Sequence, residues 1–343
     1  MLFRSITNYY DTVNEEELID AAINGMLDYL DDPYTTYLNE FSKESLMDSL
    51  KGTYEGIGIE ILKTEEGPIE IVKIFENTPA SKAGIAVGDI LKVINEVDLT
   101  DKNSEEAVAI IKGAKDGDVN ITVARGEELL SFSLKKETLY VPVITSRVFE
   151  SNNQKIGYLA INKFSSIVGE QFNEKLKNLE GQGINSLIID VRNNTGGYLK
   201  GAGDIASLFL KDGDKIYSLQ TKTETKHYKD ETAESRNYKV SFLINKGAAS
   251  ASEVLAAAMK YSYNATLVGV TSYGKGSVQQ TSDLTEGSML KYTTAKWLTP
   301  NGDCIDGIGL IPDVEAIMSE AYYENPSEEN DNQLQTAIYE ISK

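Results

Sequence analysis

The sequence predicts an α/β chain built from several domains. Three observations carry that reading. The 343 residues exceed what one compact core usually organises, roughly 250–300 at most. From about residue 138 onward, short apolar runs alternate with amphipathic stretches, the pattern of strands and helices in an α/β core. The first 50 residues instead keep apolar side chains at helical spacing. Charge narrows the partners: 33 basic against 53 acidic side chains leave a net charge of −20, which argues against nucleic acid and anionic membrane surfaces. The single cysteine, Cys304, excludes an internal disulfide and a cysteine-based zinc site. With one histidine as well, no metal and no cofactor is expected. No run approaches the roughly 18 apolar residues of a membrane span. The opening M-L-F-R-S-I-T-N-Y-Y lacks the apolar centre of a signal peptide.

Residues 1–50 form the helical segment. Asn14 or Thr12 can cap a helix whose Leu18, Ile19, Ala22, Met26, Leu27 and Leu30 share a face. D-D-P-Y at Asp31–Tyr34 stops it, and its expected role is packing.

Residues 51–137 form a second domain. In Y-E-G-I-G-I-E-I, Gly56 and Gly58 free the backbone while Ile57 and Ile59 alternate into a strand. N-T-P-A-S-K-A-G-I-A-V-G-D-I-L-K-V-I-N-E holds a short helix, a turn at Gly88-Asp89 and a strand. Together these strings resemble a PDZ domain, β-rich with two helices. Such a glycine loop offers N–H groups to a peptide's terminal carboxylate, and the peptide adds to a sheet edge. The resemblance implies Gly56, Ile57, Gly58 and Ile59 as peptide-binding residues. The helix Ser104–Gly113 would form the other wall, with Ala107, Val108 and Ile111 either lining the groove or packing the core.

Residues 138–343 form the third. Ile156–Phe164 reads as a strand, Val168–Leu179 as an amphipathic helix, and S-L-I-I-D-V-R as a short buried strand ending in the turn N-N-T-G-G. A helix from Ala202 to Leu210 and the strand K-I-Y-S-L follow. His227 lies in a polar run that reads as an exposed loop, so it is not expected to serve as a catalytic base. V-S-F-L-I-N is the strand that delivers Ser250. Lys291–Trp297 alternates as a strand, and after an acidic linker, Glu324–Asn332, Q-L-Q-T-A-I-Y-E-I makes a final helix.

The chemistry concentrates between Gly247 and Gln280. In G-A-A-S-A-S-E, Ser250 or Ser252 can cap the helix that follows, and Ser250-x-x-Glu253 fits a capping box. The helix N-terminus offers free N–H groups to a developing oxyanion, Ala251 first. The apolar run then leads through T-L-V-G-V to Y-G-K-G-S-V-Q-Q, where Gly274 and Gly276 flank Lys275. A serine needs an adjacent base. A lysine can act as one when burial lowers its pKa well below roughly 10.4.

The paired strings N-K-G-A-A-S-A-S-E and Y-G-K-G-S-V-Q-Q closely resemble the C-terminal processing peptidases, PDZ-containing serine proteases also called tail-specific proteases. I-G-Y-L-A-I-N-K-F and L-T-P-N-G-D-C-I-D-G-I-G-L-I-P-D-V extend the resemblance from about residue 15 to the end. It implies Ser250 as nucleophile, Lys275 as general base and Gln279 as the residue that orients the lysine. It places Gly196, together with Gly197, in the oxyanion hole beside Ala251, and gives Lys112 a regulatory role coupling peptide binding to activation. It further implies a protease core similar to the crotonase and Clp-protease fold, substrates with apolar C-terminal tails, and an extracytoplasmic setting with an upstream anchor. Helices at both ends make a homodimer a candidate assembly. Four residues of full extension cover roughly 13 Å, so the segment from Lys275 to Gln279 must curl if the two are to meet. Asp306 and Asp303-Cys304 depart from the family pattern, at positions that read as lying away from the dyad. Two other classes remain open, a non-catalytic PDZ scaffold and an acyl-CoA enzyme of crotonase type. The intact Ser250, Lys275 and Gln279 set weighs against the first, and the lack of any nucleotide-site signal against the second.

Overall fold

The computed structural model describes residues 8–63, 67–114, 117–284 and 287–343; the opening string 1–7 lies outside them. The chain divides into two compact units, one made of residues up to Gly52 together with Pro142–Lys343, the other of Thr53–Val141.

The larger unit is built on a six-stranded sheet. Its strands run in the order Ile144–Ser151, Gln154–Ile161, Ser186–Asp190, Lys239–Ile244, Thr266–Gly269 and Val314–Glu315. The first pair is antiparallel and all the others are parallel. Central strands of such a sheet are covered on both faces, which is why S-L-I-I-D is apolar without alternation. Leu187 and Ile189 face one core with Phe172, Leu176 and Leu255, from the helices Val168–Gly181 and Ala251–Ala258. Ile188, Leu243 and Val268 face the other, against Leu334, Ala337 and Ile341 of the final helix Asn332–Ile341. Helices on both faces of a mostly parallel sheet make this a three-layer α/β core.

A second sheet of the same unit centres on Met289–Leu298, paired antiparallel with Thr36–Leu38, Lys215–Gln220 and Ser277–Asp283. The N-terminal segment therefore contributes a strand here, in addition to its helices Glu15–Asp28 and Glu40–Lys51. The second of these helices is capped by Asn39, whose side chain accepts Ser42 N–H at 2.9 Å. It ends at Gly52 with φ 69°, where any Cβ would collide with Ser165. His227 also belongs to this sheet. It lies in the strand Thr225–Lys229, not in a loop, with Nδ1 2.8 Å from Ser218 Oγ.

One buried charge cluster ties the final helix to the sheet. Arg192 Nη2 lies 2.7 Å from both Asp190 and Asp331, and Nη1 donates to Asp331 Oδ1 at 2.8 Å and Gln333 Oε1 at 3.1 Å. Asp331 also caps the final helix through Leu334 N–H. Burial opposes the charge on Arg192, yet Asp190 and Asp331 outweigh it and raise its pKa. The arginine side chain is 11% exposed and each aspartate 7%. Removing one member of such a cluster leaves uncompensated buried charge, about 3–5 kcal/mol. Arg192→Ala is therefore expected to lower the unfolding free energy of this unit, read by denaturant titration, by that much. Arg192→Lys should recover little, because an ammonium cannot reproduce the bidentate contacts.

The smaller unit, Thr53–Val141, is an antiparallel sheet with two helices. Its strands run Ile59–Lys63, Ile69–Ile74, Ile90–Ile94, Asp118–Arg125 and Glu128–Lys135, with Val97–Asp98 on the third. Thr53–Gly56 pairs separately with Glu137–Tyr140. Thr78 caps the short helix Pro79–Ala83 and Asn103 caps Ser104–Lys112, each in a capping box. Ile57, Ile71, Leu91, Ile94, Ile121 and Val123 form its core. Asp89, 1% exposed, is held by Arg125 Nε at 2.7 Å.

Candidate active site

Strand order creates the site. Ser186–Asp190, Lys239–Ile244 and Thr266–Gly269 are adjacent and parallel, so their carboxyl ends open on one edge of the sheet, the usual place for function in such folds. The loops leaving those ends carry Gly196–Gly197, Ser250 and Lys275.

Ser250 stands immediately before the helix Ala251–Ala258 with φ 57° and ψ −118°. A side chain at that backbone conformation costs on the order of 1–3 kcal/mol, and such strain collects at functional sites. Gly196 lets the neighbouring loop close over Ser250. A Cβ there would lie 2.7 Å from Ala249 O and 2.9 Å from Ser250 Cβ, and the residue takes φ 95°. Asn194 fastens the two loops together. Its carbonyl accepts Ala249 N–H at 3.0 Å and Ser252 Oγ–H at 2.8 Å, while its side chain donates to Ile161 O.

The amides expected to serve as oxyanion donors are not equally free. Gly196 N–H donates to Asn194 Oδ1 at 2.9 Å, so that amide is already committed. Among the described residues no hydrogen bond engages the amides of Gly197 and Ala251. Gly197 is exposed at the loop surface, and Ala251 sits in the first helical turn, where N–H groups have no intrahelical partner.

Glu253 joins the serine loop to the lysine loop. It is 1% exposed. Oε2 accepts Ser250 N–H and Lys275 N–H, both at 2.9 Å. Oε1 accepts Gly274 N–H at 2.6 Å and Ser272 Oγ–H at 2.5 Å. The capping-box spacing anticipates the first of these bonds; nothing local anticipates the other three.

Lys275 is half-buried, with its carbonyl accepting Trp297 Nε1–H at 2.8 Å. Its head group does not meet its expected partners. Nζ lies over the Tyr34 ring, 4.0 Å from the centroid, and among the described residues no hydrogen bond joins it to Ser250 or Gln279. Gln279 Nε2 donates instead to Ser277 Oγ at 3.0 Å and Thr293 Oγ1 at 3.1 Å. The chain does curl between them, through a bulge at Val278/Gln279. Burial pushes the lysine amine down and Lys291 adds to the effect, against opposing pulls from Asp32 and Glu253.

Asp306 is nearer Lys275 than the sequence suggests. Its Oδ1 accepts Gly276 N–H at 3.0 Å, directly after the lysine, and Lys296 lies 3.0 Å from its other oxygen. The glycine-rich stretch that follows is shaped to the same loop: Gly307 donates to Gly274 O at 2.8 Å.

In the smaller unit, Ile59–Lys63 is an edge strand, paired among the described residues with Ile69–Ile74 alone. Gly56 ends one strand and Ile59 starts the next, so Ile57 and Gly58 form the break between them instead of continuing a strand. Ile57 is buried. On the facing helix, Ala107 and Ile111 belong to the core, and Val108, 39% exposed, is the accessible apolar side chain of the three. Lys112 closes that helix, its carbonyl accepting Lys136 Nζ–H at 2.7 Å.

Comparison with known proteins agrees with this architecture. Residues 155–316 match the family described as Peptidase family S41, residues 56–135 the PDZ domain, and residues 3–42 the activating protease CtpB N-terminal domain. The carboxy-terminal processing protease CtpB of Bacillus subtilis (strain 168) is 37% identical over 318 residues, 92% of this chain and 66% of that protein. CtpA of the same organism is 34% identical over 312 residues, 90% of this chain and 66% of that protein. The chain thus spans just under two thirds of the length of these relatives. Among solved structures, a photosystem II D1 C-terminal processing protease shares the fold at TM-score 0.56 and 24% identity, over 92% of this chain and 86% of that one.

Proposed function

We propose that this chain, whose residues 155–316 match peptidase family S41 and residues 56–135 the PDZ domain, is a serine endopeptidase cutting proteins near their C-termini. The observation that carries the reading is Ser250, held at a strained helix entrance and tied through Glu253 to the loop of a half-buried lysine. Neutral Lys275 takes the Ser250 proton as the hydroxyl attacks the scissile carbonyl. The Ala251 and Gly197 amides stabilise the tetrahedral oxyanion. Lys275 then protonates the leaving amine, and water, activated by the same amine, hydrolyses the acyl-enzyme. Gln279 orients Lys275 only if the lysine leaves Tyr34, since Gln279 is bonded elsewhere in this arrangement.

The PDZ domain captures an apolar C-terminal tail by strand addition along Ile59–Lys63, with Val108 across the groove, and gates activity. Lys112 belongs to that coupling. The test is cleavage of a loosely folded protein ending in apolar residues, by wild type and by a variant lacking residues 54–137, alongside labelling with a serine-directed acylating probe. Cleavage by wild type with probe attached at Ser250 supports the reading. Peptide binding without cleavage or labelling would favour a scaffold. In the same reading the protein works outside the cytoplasm, which fractionation checks; among the described residues no helix is long and apolar enough to cross a membrane. It also pairs as a homodimer, which sedimentation checks; the helix Glu15–Asp28 has no fully buried side chain among the described residues.

The acid side of the pH profile follows from Lys275. Its pKa is lowered, first by burial and then by Lys291, and only the neutral amine can accept the serine proton. Activity should therefore fall as pH falls through that lowered value, at a midpoint below the roughly 10.4 of a free lysine. Measurement of kcat/KM with an uncharged peptide reads this limb directly. An optimum below pH 5 would rule out a lysine base.

A further inference from the structure

The turn after the helix Glu15–Asp28 is fastened to the rest of the larger unit more firmly than a spacer requires. Asp32 Oδ1 accepts Tyr34 N–H at 3.1 Å and Oδ2 accepts Thr35 Oγ1–H at 2.6 Å. Thr35 Oγ1 in turn accepts Thr293 N–H at 3.2 Å, and Thr36–Leu38 pairs with Met289–Lys291. These bonds set the Tyr34 ring against Lys275 Nζ at 4.0 Å from its centroid, well inside the roughly 6 Å reach of a cation–π contact. The phenol oxygen lies 3.5 Å from Tyr273 OH, on the lysine's own loop.

We propose that Tyr34 is a positioning residue for Lys275, its ring serving as a platform that holds the lysine head group away from Ser250 between turnovers. The proposal rests on reading Lys275 as the general base. A ring face attracts an ammonium and has little hold on a neutral amine. The platform therefore retains the protonated lysine and releases the deprotonated one, which can then swing to Ser250. The N-terminal segment thereby takes part in delivering the base, although it contributes no group to the reaction.

The charged groups around Nζ come from three other places. Lys291, on Met289–Leu298, works with burial against its charge, while Asp32, on the Tyr34 turn, and Glu253, on the serine helix, favour it. Tyr273 and burial push the Tyr34 phenol up to about 12, with Asp306 and Asp32 adding to that. Among the described residues none of these groups hydrogen-bonds Nζ, which leaves the ring as its direct contact.

The test uses the full chain with Tyr34→Phe and Tyr34→Leu. Competitive acetylation read by peptide mass spectrometry gives the Lys275 titration midpoint without requiring turnover. Tyr34→Phe keeps the ring and should track wild type. Tyr34→Leu should lower the midpoint by about half a pH unit or more, and the acid limb of kcat should move the same way, with KM within about twofold. If Tyr34→Leu fails to fold, Tyr34→Met carries the same expectation. A midpoint unchanged or raised in the ring-less variant, with Lys275→Ala inactive, overturns the platform alone. An active Lys275→Ala overturns the base assignment, and the proposal with it, whatever the labelling shows.

Discussion

Ser250→Gly is expected to abolish hydrolysis and at the same time to leave the larger unit more stable than Ser250→Ala does. Both variants remove the proposed nucleophile, so both should lose about 10⁴-fold or more in kcat, as when a nucleophile is deleted from a preorganised site. Their stabilities should separate. Ser250 takes φ 57° and ψ −118°, a conformation that any Cβ resists by on the order of 1–3 kcal/mol. Alanine keeps the Cβ and the strain; glycine loses both. Glycine's greater freedom in the unfolded chain offsets about 0.5–1 kcal/mol of that gain. The net expectation is a denaturant midpoint for Ser250→Gly above that of Ser250→Ala, by the equivalent of about 1 kcal/mol for mid-range strain and up to about 2.5 kcal/mol. Equal midpoints would show that the serine is not strained, and hydrolysis surviving in Ser250→Ala would move the nucleophile elsewhere. The serine is held in a costly conformation by the Asn194, Gly196 and Glu253 contacts around it, which a plain helix cap would not need.

What the sequence discloses and what it hides divide along distance in the chain. S-L-I-I-D and V-S-F-L-I-N are legible as buried strands because burial on both faces leaves uninterrupted apolar runs. The entrance of the serine helix is legible because capping chemistry spans only three residues, Ser250 to Glu253. The resemblances to C-terminal processing peptidases and to a PDZ domain rest on similarly compact strings, and residues 155–316 and 56–135 match Peptidase family S41 and the PDZ domain. His227 reads as loop because its strand is solvated and buries almost nothing, so period-two alternation never shows. Ala107 and Ile111 fall one turn apart on a helix face, a spacing that fits a groove wall and a core equally well, and the core takes both. Tyr34 above Lys275, and Asp306 on Gly276, are contacts between loops far apart in sequence. No local pattern encodes them. Gln279 shows the same limit from the other side: the bulge supplies the curl, but Thr293 on the partner strand takes the side chain.

Glu253→Ala should cost both activity and stability, and Glu253→Gln should recover only part of each. The carboxylate receives three backbone N–H groups and one hydroxyl, from Ser250, Gly274, Lys275 and Ser272. Alanine leaves three buried or half-buried amides without an acceptor, at about 1–3 kcal/mol each, although Ser272 can still donate to another neighbour or to water that enters the space. A loss of roughly 3–5 kcal/mol in unfolding free energy is expected after such relaxation. Glutamine preserves one oxygen but turns an NH₂ toward either the Ser250–Lys275 pair or Gly274, so donors face donors whichever way it flips. Because the same carboxylate sets the separation of the serine and lysine loops, kcat should fall by about 10²-fold or more in Glu253→Gln. In the proposed reading the smaller unit captures the substrate tail and this carboxylate takes no part in it, so KM should stay within a few-fold. A Glu253→Gln enzyme with unchanged kcat would mean that the two loops hold their register without it, and that the clamp is only a fold element. A raised KM with kcat preserved would place Glu253 in substrate binding instead.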